Sequence, residues 1–227
     1  MINPFSKKEH PEFIRDYLIA AKQRKSGKRL LSDERIVVLD IETNGRPLES
    51  DEILSLALFE IVNGQIELSR QRKWIVYHPD TRPTRATAIH GILPCETEQG
   101  VPEPELLKEL IPILAGALVV CHHIRFDLSR INKILYRHFK VRFKTQAIDT
   151  AILAMHELSA FHKTGYPNQR APSLDEICAQ FNLPATARHT AEGDAFTTAQ
   201  AFLFLCGRLQ RRLGRPIRVR DLPLSEF

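Results

Sequence analysis

The chain has 227 residues, 43% of them hydrophobic, with four cysteines and a formal charge of +5. That is enough to bury one α/β core of about 150 to 190 residues with extensions, and too little for two full domains. No run approaches the roughly 20 apolar residues of a membrane helix, and the start MINPFSKKEHPEF has no signal-peptide core, so a soluble, cytoplasmic protein without membrane contact is expected.

Cys95, Cys121, Cys178 and Cys206 form no C-x-x-C pair, which argues against a zinc ribbon or a disulfide framework. Positive charge gathers towards both ends. Residues 1–32 hold eight Lys or Arg against three acids, and Gly207 to Arg220 holds six arginines and no acid. Such flanks suit a polyanionic partner, because phosphates are drawn in by the ends.

In chain order, Pro11 to Ala21 spaces Phe13, Ile14, Tyr17, Leu18 and Ala21 as one helical stripe, and Arg24 to Glu34 reads as a linker. Arg35 to Gly45, RIVVLDIETNG, is a buried strand that ends in two acids and a turn. Ile53 to Val62 and Gln65 to Tyr77 flank Asn63-Gly64, a two-residue hairpin signal. His78 to Pro102 reads as a proline-rich loop passage containing Ile89 and His90. Glu103 to Leu114 returns to helical spacing, which Pro112 should shorten. Ala117 to Cys121 is a short strand, and a helix follows from Asp127 to Phe139. Ala147 to Met155 passes from strand to helix, and His156 to Pro172 is a polar loop. Ser173 with Glu176 forms a capping box, and from Asp194 to Leu213 runs the longest amphipathic stripe. Gly214 to Phe227 reads as an extended tail.

Side chains two apart on a strand share a face, so Asp40 and Glu42 project together. Two carboxylates held that close call for a cation between them. Asp127 and Asp194 open helices, where a cap explains a lone Asp. Together, however, the four acids and His189 form a set. Carboxylates are the hard ligands that Mg²⁺ or Mn²⁺ prefers, and a two-metal site suits phosphodiester hydrolysis. A neutral histidine, with an ordinary pKa of about 6.5, suits proton removal from water. Cys121-His122-His123 is a poor soft-metal cluster, since adjacent strand residues face opposite ways.

VVLDIETNG, HHIRFDLSRI and RHTAEGDAFTTAQAFLFL resemble, in order, the three motifs of the DnaQ-like (DEDDh) 3'-5' exonucleases, the branch of the proofreading epsilon subunit of bacterial DNA polymerase III and its stand-alone paralogues. IHGI, IDTAILA and SLDEICAQFNLP are similar to supporting segments of that family. The second motif departs from the pattern, with His123 where Asn is common, and in the first motif Asn44 stands where Thr is frequent.

The resemblance implies a ribonuclease H-like α/β fold, a central mixed five-stranded sheet flanked by helices. The exonuclease domain is expected over 35–213, preceded by a basic helical extension and linker over 1–34, for which the family does not account, and followed by a tail over 214–227. Asp40, Glu42, Asp127 and Asp194 would hold two divalent ions, Mg²⁺ or Mn²⁺, and His189 would be the general base. Thr43, Asn44 and Gly45 would meet the terminal nucleotide through their backbone, with Ile89, His90 and Phe126 lining its base and sugar. The implied activity is removal of 3'-terminal nucleotides from single-stranded DNA, favoured over RNA, in proofreading or repair. The implied alternatives are an exoribonuclease and a binding partner of a polymerase or repair complex.

Overall fold

The computed structural model describes residues 10–23, 27–79, 82–162, 169–184 and 186–227. Lys7, Lys8, Arg24 and Lys25 of the basic N-terminal stretch, and 163–168 of the polar loop, lie outside them. The elements are α1 (Glu12–Lys22), β1 (Ile36–Thr43), β2 (Ile53–Val62), β3 (Gln65–Ile75), α2 (Thr87–His90), α3 (Pro94–Thr97), α4 (Glu103–Leu114), β4 (Leu118–Cys121), α5 (Arg125–Phe139), β5 (Gln146–Asp149), α6 (Thr150–Glu157), α7 (Leu174–Phe181), α8 (Ala191–Leu213) and β6 (Leu224–Glu226).

The six strands form one mixed sheet in the order β3-β2-β1-β4-β5-β6. β1, β4 and β5 run parallel, while β2, β3 and β6 are antiparallel to their neighbours. The expected count of five is exceeded because the tail supplies β6, in which Ile148 faces Leu224. Upstream of it the tail carries a 3₁₀ turn over Val219–Asp221. The linker is also joined to the body, since Leu30 bridges Arg218 and Leu31 N–H donates to Ile217 O.

β1 is central and reads as an unbroken apolar run because both its faces are covered. Val37, Leu39 and Ile41 pack with α1, α4 and α5, whereas Ile36 and Val38 pack with α6, α7 and α8. Leu39 has no exposed surface, and burial of one such side chain contributes about 1.5–3 kcal/mol. α1 is fixed by Ile14 and by Tyr17, whose ring stacks on Phe143 at 5.9 Å and whose hydroxyl donates to Lys144 O at 2.9 Å. Burial pushes that phenol up to about 12.

Pro112 does not shorten α4, which continues to Leu114. A proline removes the bond to the carbonyl four residues back, but Pro112 sits in the last turn and Lys108 is exposed to water. The final carbonyls are taken by Arg35, whose Nη2 donates to Ile113 O at 2.6 Å and Ala115 O at 2.9 Å. β3 forms one edge of the sheet, largely exposed except at Trp74, and carries Arg70, Arg72 and Lys73.

Candidate active site

Asp40 and Glu42 lie at the C-terminal end of β1, on the face that α8 covers. Their partners on β2 are small, Ala57 opposite Asp40 and Ser55 opposite Glu42, and the register shifts between Glu42 and Thr43. Ala57 packs with Ala191 and Ala195 beneath Phe59. These small residues let the first turn of α8 approach the sheet. Gly193 completes the fit, because a Cβ there would stand 2.0 Å from Ala187 O. Thr190 caps the helix, its hydroxyl accepting from Gly193 N at 3.1 Å.

The result brings Asp40, Glu42 and Asp194 together, each offering a carboxylate oxygen within 4.8 Å of the others. Loss of water around Asp40 raises its pKa well above the usual carboxylate range, and the charges of Asp127, Asp194 and Glu42 raise it further. Burial, then Asp194, pushes Glu42 up to about 7, against the pull of Arg188. Carboxylates crowded in this way form a donor set suited to a hard divalent cation. Asp127 stands beside this trio and outside it. It is buried at the start of α5, and its Oδ1 accepts Ile41 N–H at 3.2 Å. Burial raises its pKa too, and that hydrogen bond opposes the rise.

His189 is exposed, and its backbone N–H donates to Asp194 Oδ2 at 3.3 Å. Arg188, which the sequence did not mark, is a cation that contacts the trio directly. Its Nη1 donates to Asp194 Oδ1, and its Nε donates to Asp175 Oδ1 at 2.6 Å. Glu192 is drawn towards β3 by Gln71 and by Lys73, the latter at 3.3 Å.

The loop after β1 is folded on itself. Asn44 N–H donates to Glu52 O at 3.2 Å and Gly45 N–H to Thr43 Oγ1 at 3.2 Å, so these backbone donors are engaged inside the loop. Gly45 has a φ of +70 and lies against Ala86, in a position that suits glycine. Thr84 Oγ1 donates to Asn44 O at 3.0 Å, tying this loop to the segment that carries α2. His90 in α2 is buried, with Nδ1 accepting Ile92 N–H at 3.0 Å. Burial keeps its pKa below the ordinary histidine value, and the Thr43 backbone pulls the other way. Ile89 beside it is 61% exposed, so of this pair Ile89 is the one open to a ligand. Phe126 is also exposed, and the Arg130 guanidinium lies 3.7 Å from its ring centroid. Arg130 is held in turn by buried Asp51 at 2.8 Å.

Asp149, at the end of β5, is a positioning residue that sequence pattern does not single out. Its carboxylate accepts from the N–H groups of His123 (3.2 Å), Ile124 (3.2 Å) and Ala151 (2.9 Å), which fixes the turn that delivers Phe126 and Asp127. A cavity of about 780 Å³ lined by α1, α4 and Phe139 holds none of the candidate residues.

Comparison with known proteins gives the same direction. The exonuclease family RNase_T matches residues 37–202. The DNA polymerase III subunit epsilon-like protein of Rhodobacter capsulatus is 31% identical over 179 residues, covering 78% of this chain and 24% of that protein. The DNA polymerase III subunit epsilon of Aquifex aeolicus is 26% identical over 184 residues, covering 81% of this chain and 86% of its own. The chain thus spans about a quarter of the first relative and most of the second. Among solved structures, E. coli Exonuclease I in complex with a dT13 oligonucleotide superposes with a TM-score of 0.62 at 16% identity, over 80% of this chain and 43% of that one.

Proposed function

The chain belongs to the RNase_T family of DnaQ-like 3'-5' exonucleases, and from that premise we propose that it hydrolyses the 3'-terminal phosphodiester of single-stranded DNA and releases nucleoside 5'-monophosphates. The observation that carries this reading is the meeting of Asp40, Glu42 and Asp194 within 4.8 Å. Residues 35–213 are proposed to carry the reaction, with 1–34 and 214–227 as extensions of the same body.

Asp40, Glu42 and Asp194, with Asp127 beside them, would hold two Mg²⁺ or Mn²⁺ ions. Bound there, the ions would acidify water and stabilise charge on the departing oxygen. The chain's own groups do the rest. His189, exposed in the loop that leads into α8, would take the proton of the attacking water. Ile89 and Phe126 bracket the terminal base, while the Thr43-to-Gly45 turn shapes the wall beside the sugar. Single-stranded DNA is favoured because Exonuclease I, bound to an oligonucleotide of thymidines, shares this fold. Among the described residues no helix is long and apolar enough to cross a membrane.

The test is a time course on matched 5'-labelled DNA and RNA strands, with Mg²⁺ or EDTA, beside Asp194→Ala. A metal-dependent ladder shortening from the 3' end, absent in the variant, supports the reading. Faster loss of RNA would instead name an exoribonuclease. Binding without cleavage would move the reading to a polymerase or repair partner.

A further inference from the structure

Arg188 stands between two residues in the left-handed region, Ala187 at φ 51 and His189 at φ 61. Neither is glycine, and such conformations persist only where the surroundings over-determine them. Here they turn the Arg188 side chain inward and leave His189 outside. The Arg188 side chain is 17% exposed and spans two carboxylates, Asp175 at the start of α7 and Asp194 in the first turn of α8. Both oxygens of Asp194 therefore carry a contact from this loop, Oδ1 from Arg188 and Oδ2 from the His189 N–H.

A guanidinium that already neutralises a carboxylate lowers its attraction for a second cation, because the two positive charges repel across it. Building on the metal-site reading above, we propose that Arg188 is a latch, competing with the divalent cation for Asp194. Metal occupancy and the inward position of Arg188 exclude each other, and release of Asp194 frees the 186–190 loop, so that His189 can turn into the cleft. Asp175, 59% exposed and outside the acidic trio, is where the released guanidinium stays tethered. Arg188 is accordingly a positioning residue, acting through Asp194 and the loop that carries His189.

Calorimetric titration of the full chain with Mn²⁺ tests this, alongside hydrogen exchange over 186–193. Arg188→Gln should bind Mn²⁺ about tenfold more tightly than wild type at low salt, since a charged competitor is gone. Mn²⁺ should raise exchange of this loop in wild type and change it little in Arg188→Gln. Asp175→Asn should weaken binding severalfold in the wild-type background, because the displaced arginine loses its tether, and have little effect once Arg188 is Gln. Arg188→Lys, which keeps the charge and loses the fork, should fall between and serves if the Gln protein does not fold. Equal or weaker binding by Arg188→Gln, or no coupling between the two positions, overturns the latch. If wild type binds no Mn²⁺ at all, it is the metal-site reading that fails.

Discussion

Asp149 accepts the backbone N–H of His123 at 3.2 Å, and His123 itself stands at φ 61. The two facts belong together. The turn after β4 must pass through the left-handed region to aim Asp127 at β1, and the Asp149 carboxylate fastens it there. Asn and histidine are both among the few side chains enriched in that region. His123→Asn should therefore raise stability by about 0.5 kcal/mol or more. Asp149→Ala leaves three backbone donors without their acceptor and should lower it by about 2–4 kcal/mol, with Asp149→Asn between. Urea denaturation of the three variants gives the ranking, and an Asp149→Ala protein as stable as wild type would remove the carboxylate from this role.

Glu42 links stability to pH in the metal-free protein. Its pKa is about 7 in the fold against 4.5 for an ordinary glutamate, so the folded state holds the proton more tightly than the unfolded one. The stabilisation is complete below about 4.5 and is lost as pH rises through 7. Glu42→Gln is insensitive to this loss, so in EDTA its advantage over wild type should grow by about 1–3 kcal/mol between pH 4.5 and 8. Melting curves of both proteins across that range decide the matter, and a constant difference would mean that Glu42 titrates normally. Mg²⁺ or Mn²⁺ at pH 7.5 should raise the melting temperature of wild type more than that of Glu42→Gln.

Gly193→Ala should be severe for a single methyl group. The added Cβ would meet the Ala187 carbonyl oxygen at 2.0 Å, so either the loop or α8 must shift. A loss of about 1–3 kcal/mol is expected from overpacking, together with loss of nuclease activity because Asp194 and His189 ride on the displaced segments. Unchanged activity in steady-state assays would show that the loop can yield without cost to the site.

The C-terminal arginines should matter little for strand binding. Leu213 lies about 28 Å along α8 from Asp194 at 1.5 Å per residue. Several of the six are occupied locally, with Arg212 on Glu157 at 2.6 Å, Arg215 on Asp221 at 2.7 Å and Arg218 on Lys28 O at 2.6 Å. Arg125, exposed beside Phe126 and Asp127, is better placed. Arg125→Ala should weaken single-strand affinity and flatten its salt dependence by roughly one phosphate contact, whereas Arg211→Ala should leave affinity within about twofold. Fluorescence anisotropy across a salt series compares them, and the reverse ranking would place the strand along α8 instead.

Much of this was legible from the residues. β1 announces itself because a strand covered on both faces must be apolar throughout, and the stripes of α4, α5 and α8 follow from burial of one helical face each. The partners of Asp40 were readable because acids at strand ends and helix starts have few reasons to recur. What stayed hidden depends on distant pairing. Leu224–Glu226 is too short to carry a pattern, and only β5 makes it a strand. The four-residue helices α2 and α3 sit in a proline-rich passage whose local signals favour loop. The burial of His90 could not be read from a proline-rich passage without helical or strand periodicity. Arg188 escaped notice because its inward turn is set by left-handed residues on either side, which no periodicity reveals.

The three carboxylates of the cleft come from β1 and from α8, which lie at opposite ends of the folding order. β1, β2 and β3 are consecutive and can zip as a meander from short-range contacts, whereas α8 must close a loop of some 150 residues before Asp194 reaches Asp40. On contact order alone, the centre is expected to assemble late. A chain in which only the β1–β3 meander had formed would carry both acids of β1 but no complete cleft, and would be chemically silent towards any strand it met.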